Sequence, residues 1–287
     1  MSILQTAFLL GIAFGLLSLG IFISMRIFRI PDITTDGSFT LGGAVTAVLT
    51  LDGVHPVAIL PCVFLTGAFA GVLTGWIHTR LKVDALLSGI LVTTGLYSVN
   101  LAVMGRSNLP LIQAPSLFTA ISLTDDPVSN QTAVLTAISV VAVIILTWLL
   151  STDFGLAMRA TGDNEQMIRA FGVNTDRMKV TGLALANGLT ALSGYLITYV
   201  QGYADINMGI GIVLLGIGSV MIGAVLSRLF RVQRIWILLV SVLAGSVLFR
   251  IILGTALTMG IDPLYLKLVV ACFVLAAVSL PRLRAAS

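Results

Sequence analysis

Apolar runs of about twenty residues recur along this 287-residue chain, near 3–25, 57–77, 85–105, 131–151, 180–200, 208–227, 235–255 and 264–281. As an α-helix, each run is long enough to cross the roughly 30 Å of hydrocarbon in a bilayer. A ninth run, near 33–52, is interrupted by polar residues. Transmembrane barrels are excluded, because barrel strands are short and alternate polar with apolar, whereas these runs are long and continuous. A soluble domain is excluded as well. Soluble chains carry roughly a quarter charged residues, and here 10% are charged against 57% hydrophobic. The expected fold is an all-α polytopic membrane protein of about nine transmembrane helices in a single transmembrane domain, 1–287.

The cations set the expected orientation. With the N-terminus outside and nine spans following, the inner loops collect Arg26, Arg29, Arg80, Lys82, Arg159, Arg169, Arg177, Lys179, Arg228, Arg231, Arg234, Arg282 and Arg284. Only Arg106, Arg250 and Lys267 fall elsewhere, so the bias follows the positive-inside rule and puts the C-terminus in the cytosol. The net charge of +4 is then a topology signal and implies no nucleic-acid partner. The first run lacks a basic start and a small-residue cleavage site, so it reads as a retained span. Cys62 and Cys272 each stand alone in apolar runs, and His55 and His78 lack a second ligand at motif spacing, so no disulfide or metal site is expected.

Two polar loops, near 106–130 and 152–178, flank the run at 131–151. Leu17-Ser18 followed by Pro31-Asp-Ile-Thr34 is faintly echoed by Leu192-Ser193 followed by Ala204-Asp-Ile-Asn207. The two copies run in opposite directions across the membrane, as inverted repeats of transporters do. The expected plan is a first repeat over 1–105, a connecting helix at 131–151, a cytosolic loop at 152–178 and a second repeat over 179–287, four spans plus four.

Chemistry-bearing residues gather in two places. The stretch Ile30 to Gly43 places Asp32, Thr34, Thr35, Asp36 and Ser38 at membrane depth, where a charge costs several kcal/mol unless it faces protein or water. Thr34, Thr35, Asp36 and Ser38 are therefore candidates for a pathway wall, joined by Gln201 and Asp205 near the outer mouth. The alternative is that Pro31 and Asp32 make a wide turn and Asp36 caps the next helix. The second place is Thr161 to Thr175, where Asp163 is expected to cap a short helix with Gln166 at its third position and Gly172 as its left-handed stop. Met167, Ile168 and Phe171 share one face of that helix, with Glu165 and Arg169 pointing elsewhere. This describes a docking helix for a cytosolic partner or, alternatively, an amphipathic helix on the lipid surface. Glycines 67, 71 and 75, and the row Gly182, Ala186, Thr190 and Gly194, mark close helix packing. Asn100 and Asn187 suit interhelical hydrogen bonds, and Arg250 either pairs with Asp262 or snorkels. No phosphate loop or dinucleotide fingerprint is present, so the chain itself is no enzyme.

Thr35-Asp-Gly-Ser-Phe-Thr-Leu-Gly-Gly43, Gly95 to Leu101 with Met104 to Asn108, Gly162 to Thr175, Gly182 to Gly188, Gln201 to Gly209 and Leu264 to Leu268 together resemble the permease subunit of bacterial ABC importers. They are most similar to the branched-chain amino acid permease superfamily, of the type II importer fold, in its branch associated with tryptophan or tyrosine uptake. The resemblance covers most of the chain. It departs from the family at Leu264-Tyr265, where an Asn-Asp is usual. It implies that Gly162, Asp163, Asn164, Met167, Ile168, Ala170, Phe171 and Gly172 form a coupling helix, and that the permease is a homodimer in the bacterial inner membrane. It also implies cytosolic ATPase subunits that carry ATP and Mg, a periplasmic or lipid-anchored solute-binding protein, and a small solute such as an aromatic or branched-chain amino acid. Two other classes compete. An ion- or proton-coupled secondary carrier suits the intramembrane carboxylates but leaves the docking helix unexplained, and a scaffold or receptor does the reverse.

Overall fold

Residues 3–112, 114–229, 234–260, 262, 265, 266 and 268–275 are described by a computed structural model. The long apolar runs are helices: α1 (Ile3–Ala13) and α2 (Gly15–Ile21), α3 (Thr34–Leu51), α4 (Pro56–Arg80), α5 (Ala85–Met104), α7 (Pro127–Ser151), α10 (Thr175–Gln201), α11 (Ile212–Leu229) and α12 (Ile235–Thr258). Between them lie the short α6 (Leu117–Ala120), α8 (Asp153–Asp163) and α9 (Glu165–Ala170). Five described helices are long and apolar enough to cross a membrane, or six if the bent α1–α2 pair counts as one span. Of the run at 264–281, residues 268–275 are helical, while Leu264, Lys267 and the C-terminus lie outside the described residues, as do Arg231 and the first two residues.

The interruption expected in 33–52 is absent. Residues 34–51 form one continuous helix, because the hydroxyls satisfy themselves on their own backbone: Thr40 donates to Asp36 O at 3.2 Å, Thr46 to Gly42 O at 2.6 Å and Thr50 to Thr46 O at 2.6 Å. The first span is the broken one. It bends by 41° between α1 and α2 and ends in a π-helical turn, Phe22–Ile27. At the bend Ser193 of α10 donates to Ala13 O at 2.8 Å, so a neighbouring helix takes up the carbonyl that the kink frees.

α10 is the axis of the bundle, packed against α2, α3 and α4, with 72% of its most apolar window buried, against 33% for α7. The glycines 67, 71 and 75 seat α4 on it. A Cβ at Gly71 would lie 2.1 Å from Leu183 O, and one at Gly75 would lie 2.8 Å from Val180 Cα. On α10 the other small-residue row meets the first span and α3, with Gly20 against Ala186 and Thr190, and Gly194 against Phe39. Both rows thus pack within the chain. Among the described residues, one departure from an all-helical plan occurs at the ends of α5 and α10, where β1 (Asn108–Pro110) and β2 (Tyr203–Asp205) pair antiparallel, Asn108 opposite Asp205. Gly202, with φ of +74°, ends α10 and turns the chain into this ribbon.

Candidate functional site

The loop 152–178 is more ordered than a connector. α8, capped by the Thr152 hydroxyl on Gly155 N, runs on to Asp163. It packs on the end of the first span so closely that Gly162 leaves no room for a Cβ beside Ile27 O. Asp163 therefore does not cap the short helix. As the last residue of α8, its carboxylate accepts from Arg29 at 2.8 Å. Asn164 is the cap, its side-chain oxygen accepting from Met167 N at 3.0 Å. That shifts the third helical position to Met167, and the reciprocal arrangement with Gln166 is not made. Gly172, with φ of +85°, ends the element as its sequence position requires.

Glu165 and Arg169 do not merely point away; they tie α9 to the first turns of α10. Glu165 accepts from Lys179 Nζ at 2.6 Å, from Arg169 Nη2 at 2.9 Å and from the Thr175 hydroxyl at 3.1 Å, while Arg169 also reaches Asp176 at 3.1 Å. Partial burial pushes the Glu165 carboxyl up, but Lys179, Thr175 and Arg169 together hold it below the ordinary glutamate value. With the polar face so engaged, Met167 is 51% and Phe171 76% exposed, Ile168 is half-buried, and Ala170 is exposed. No residue of α9 is buried.

The structure divides the six residues expected to wall a pathway into three sets. Thr34, Thr35 and Ser38 are fully buried inside the chain. Thr34 meets Thr74 at 2.7 Å, Thr35 donates to Asp32 O, and Ser38 donates to Asn187 Oδ1 at 2.7 Å. Asn187 in turn donates to Asp32 Oδ2 at 2.7 Å, making a closed network of neutral donors around a carboxylate. Their hydroxyls face helix partners within the chain. Asp36 has an unforeseen partner. Its Oδ2 accepts from Gly211 N and its Oδ1 from Val213 N, both at 2.9 Å. It caps a helix, but α11 rather than its own, so the chain after β2 must descend to the level of the first turn of α3. The N-terminus of α11 gains a negative charge there. Gln201 and Asp205 do line a cavity of about 450 Å³, with Asn108, Asn207, Tyr203 and Phe39.

Against this geometry the comparisons are decisive. The family described as branched-chain amino acid transport system, permease component, matches residues 3–279. The chain belongs to that family. The tyrosine transport system permease protein of Clostridioides difficile (strain R20291) is 35% identical over 264 residues, 91% of this chain and 85% of that protein. An uncharacterized protein of Rickettsia prowazekii (strain Madrid E) is 33% identical over 274 residues, 94% of each. The autoinducer 2 import system permease protein LsrC of Salmonella choleraesuis (strain SC-B67) is 30% identical over 195 residues, 62% of this chain and 54% of that one. The chain is a multi-pass membrane permease component of an ABC importer, not a catalytic subunit.

Two features of the permease escaped sequence reasoning. The α9 clamp joins residues ten to fourteen apart, Glu165 to Thr175 and Lys179, and spacing of that kind carries no periodic signal. The Asp36 cap spans 175 residues. Its one trace was the oddity of an aspartate at depth.

Proposed function

We propose that two copies of this permease enclose the solute pathway, and that Gly162 to Gly172, centred on α9, is the coupling element through which a separate ATPase moves the spans. ATP and Mg reside on that ATPase, and a periplasmic or lipid-anchored binding protein delivers the solute. The N-terminus lies outside and the C-terminus in the cytosol, with nine spans arranged as an inverted four plus four around α7. The substrate is an amino acid, aromatic or branched-chain, in keeping with the similarity to a tyrosine transport permease. Gln201 and Asp205 belong to the outer part of the pathway, and Asp36 holds the segment that borders it.

The observation that carries this reading is the division of labour in α9. Its charged face is spent on α10, which makes the helix and the most buried span one lever, while Met167 and Phe171 are left uncovered. A short helix in a partner's groove draws its affinity from a few apolar anchors, each worth about 1.5–3 kcal/mol when buried. The double variant Met167→Asp and Phe171→Asp alters no span and no clamp residue. It is expected to insert and assemble normally, to lose the co-purifying ATPase and to abolish ATP-driven uptake. Retention of a stoichiometric ATPase with normal uptake would remove α9 from the mechanism.

A further inference from the structure

Arg250 stands in α12, eight residues before its end at Thr258. The ion pairs among the described residues involve Arg29, Arg169 and Lys179, and none includes Arg250. Its guanidinium carbon lies 3.9 Å over the Phe14 ring, at the kink of the first span, and its Nε is sealed from solvent with no hydrogen-bond partner. A snorkelling arginine does the opposite, carrying its head to water. Here the half-buried side chain lays its guanidinium on an aromatic face, a contact that uses none of its N–H donors. It borders a cavity of about 280 Å³ whose other walls are chiefly apolar, among them Leu214, Leu215, Leu253 and Val270. Phe14, Gln201 and Met208 line both this cavity and the 450 Å³ chamber that holds Asp205.

A cation within a span that has no counter-ion among the described residues is costly, and it marks a place for an anion. The chemistry of the walls narrows which anion. A single guanidinium matches one carboxylate in bidentate fashion, apolar walls reward a hydrocarbon body, and the Asp205 carboxylate in the adjoining chamber disfavours a second negative group while suiting an ammonium. We infer that this cavity receives the carboxylate of a small apolar-bodied solute on Arg250, an amino acid with an aliphatic or aromatic side chain being the class that uses every wall. At about 280 Å³ it lies just under the range of drug-sized pockets, roughly 300–1,000 Å³, a size for one such molecule. The inference rests on the permease reading above and adds to it a solute contact within the protomer itself.

The test uses the permease purified with its ATPase in nanodiscs, its thermal midpoint titrated with L-phenylalanine, L-leucine, their uncharged-terminus amides and sodium chloride. The two acids should raise the midpoint, and the amides should need about 10- to 100-fold higher concentration, the loss of a charge-assisted pair. Arg250→Gln should lose the response to the acids, and Arg250→Lys should keep part of it. The inference is overturned if neither acid shifts the wild type, if amides or chloride act as well as the acids, or if Arg250→Gln responds normally. Should Arg250→Gln fail to fold, the acid–amide contrast in the wild type still decides. Continued co-purification of the ATPase in any failing case leaves the permease reading standing and removes only the solute site.

Discussion

The two polar islands of this permease, residues 30–43 and 161–175, resemble each other as strings of letters and differ completely as structures. In the first, every carboxylate is consumed internally: Asp32 by Asn187 and Thr34, Asp36 by the amides of Gly211 and Val213. In the second, the charges form a bracket on one side so that apolar side chains are left bare on the other. The contrast follows from the solvent. At depth an unpaired polar group has no water to fall back on, so polarity turns inward. At the aqueous face the same groups can be spent on positioning, and the exposed apolar patch becomes the feature that needs a partner.

Accessibility draws this contrast most sharply. In a background lacking Cys62 and Cys272, a cysteine at Gln166, which is exposed on α9, should react fully with an impermeant thiol reagent applied from the cytosolic side and resist it from outside. A cysteine at Ser38, fully buried, should resist from both. Labelling of the Gln166 site in intact cells would reverse the proposed orientation.

The next effect is on stability. Asp36→Ala leaves the amides of Gly211 and Val213 without their acceptor, and each unsatisfied buried group costs about 1–3 kcal/mol. The variant should unfold at markedly lower temperature in micelles and transport poorly. Asp36→Asn retains one acceptor oxygen and should fall between the two. A wild-type thermal midpoint for Asp36→Ala would show that the cap contributes little and reopen Asp36 as a solute-facing group.

Asn187→Leu should cost less, because it removes partners from Asp32 and Ser38 while leaving Asp32 the Thr34 amide. A loss of about 1–3 kcal/mol is expected, read as a lower thermal midpoint with α9 and ATPase docking unchanged. If docking fails as well, the two islands are coupled through α10 more tightly than their separate networks imply.

Much of this was legible in the letters. Hydrophobic length located the spans to within a few residues, because a bilayer sets both ends of a helix: 85–105 became Ala85–Met104, and 235–255 became Ile235–Thr258. Gly172 and the Met167–Phe171 face were legible too, since capping and helical periodicity are local. What the letters hid was long-range or compensated. Hydroxyls that bond back to their own helix look like an interruption but are none, and the helix α8 lies inside a stretch whose letters read as loop. The cap at Asn164 rather than Asp163 turned on where α8 ends, which no single-residue preference decides. The solute cavity needed Phe14, Gln201 and Arg250, three residues whose separation in sequence gives no hint of proximity.

The smallest expected effect is a pH response confined to the α9 island. Glu165 titrates below its ordinary value because Lys179, Thr175 and Arg169 favour its charged form over the cost of partial burial. A depressed carboxyl contributes stability that is fully present above the unfolded value, near 4.5, and is lost as pH falls through the lower folded one. From neutral pH down to about 5 the clamp should therefore be unchanged, and it should loosen only in more acid solution. Glu165→Gln should reproduce the loosened state at pH 7, keeping a bond to Thr175 but neither ion pair. Because these pairs are partly exposed, the change should be at most about 1 kcal/mol and should shrink with added salt. Amide hydrogen exchange across 165–171 reads it directly, with faster exchange in the variant and no change around Asn187. Equal exchange in wild type and Glu165→Gln at low salt would mean that α9 is held by its Asn164 cap and α8 alone, and the charged face would then no longer explain why the apolar one is left bare.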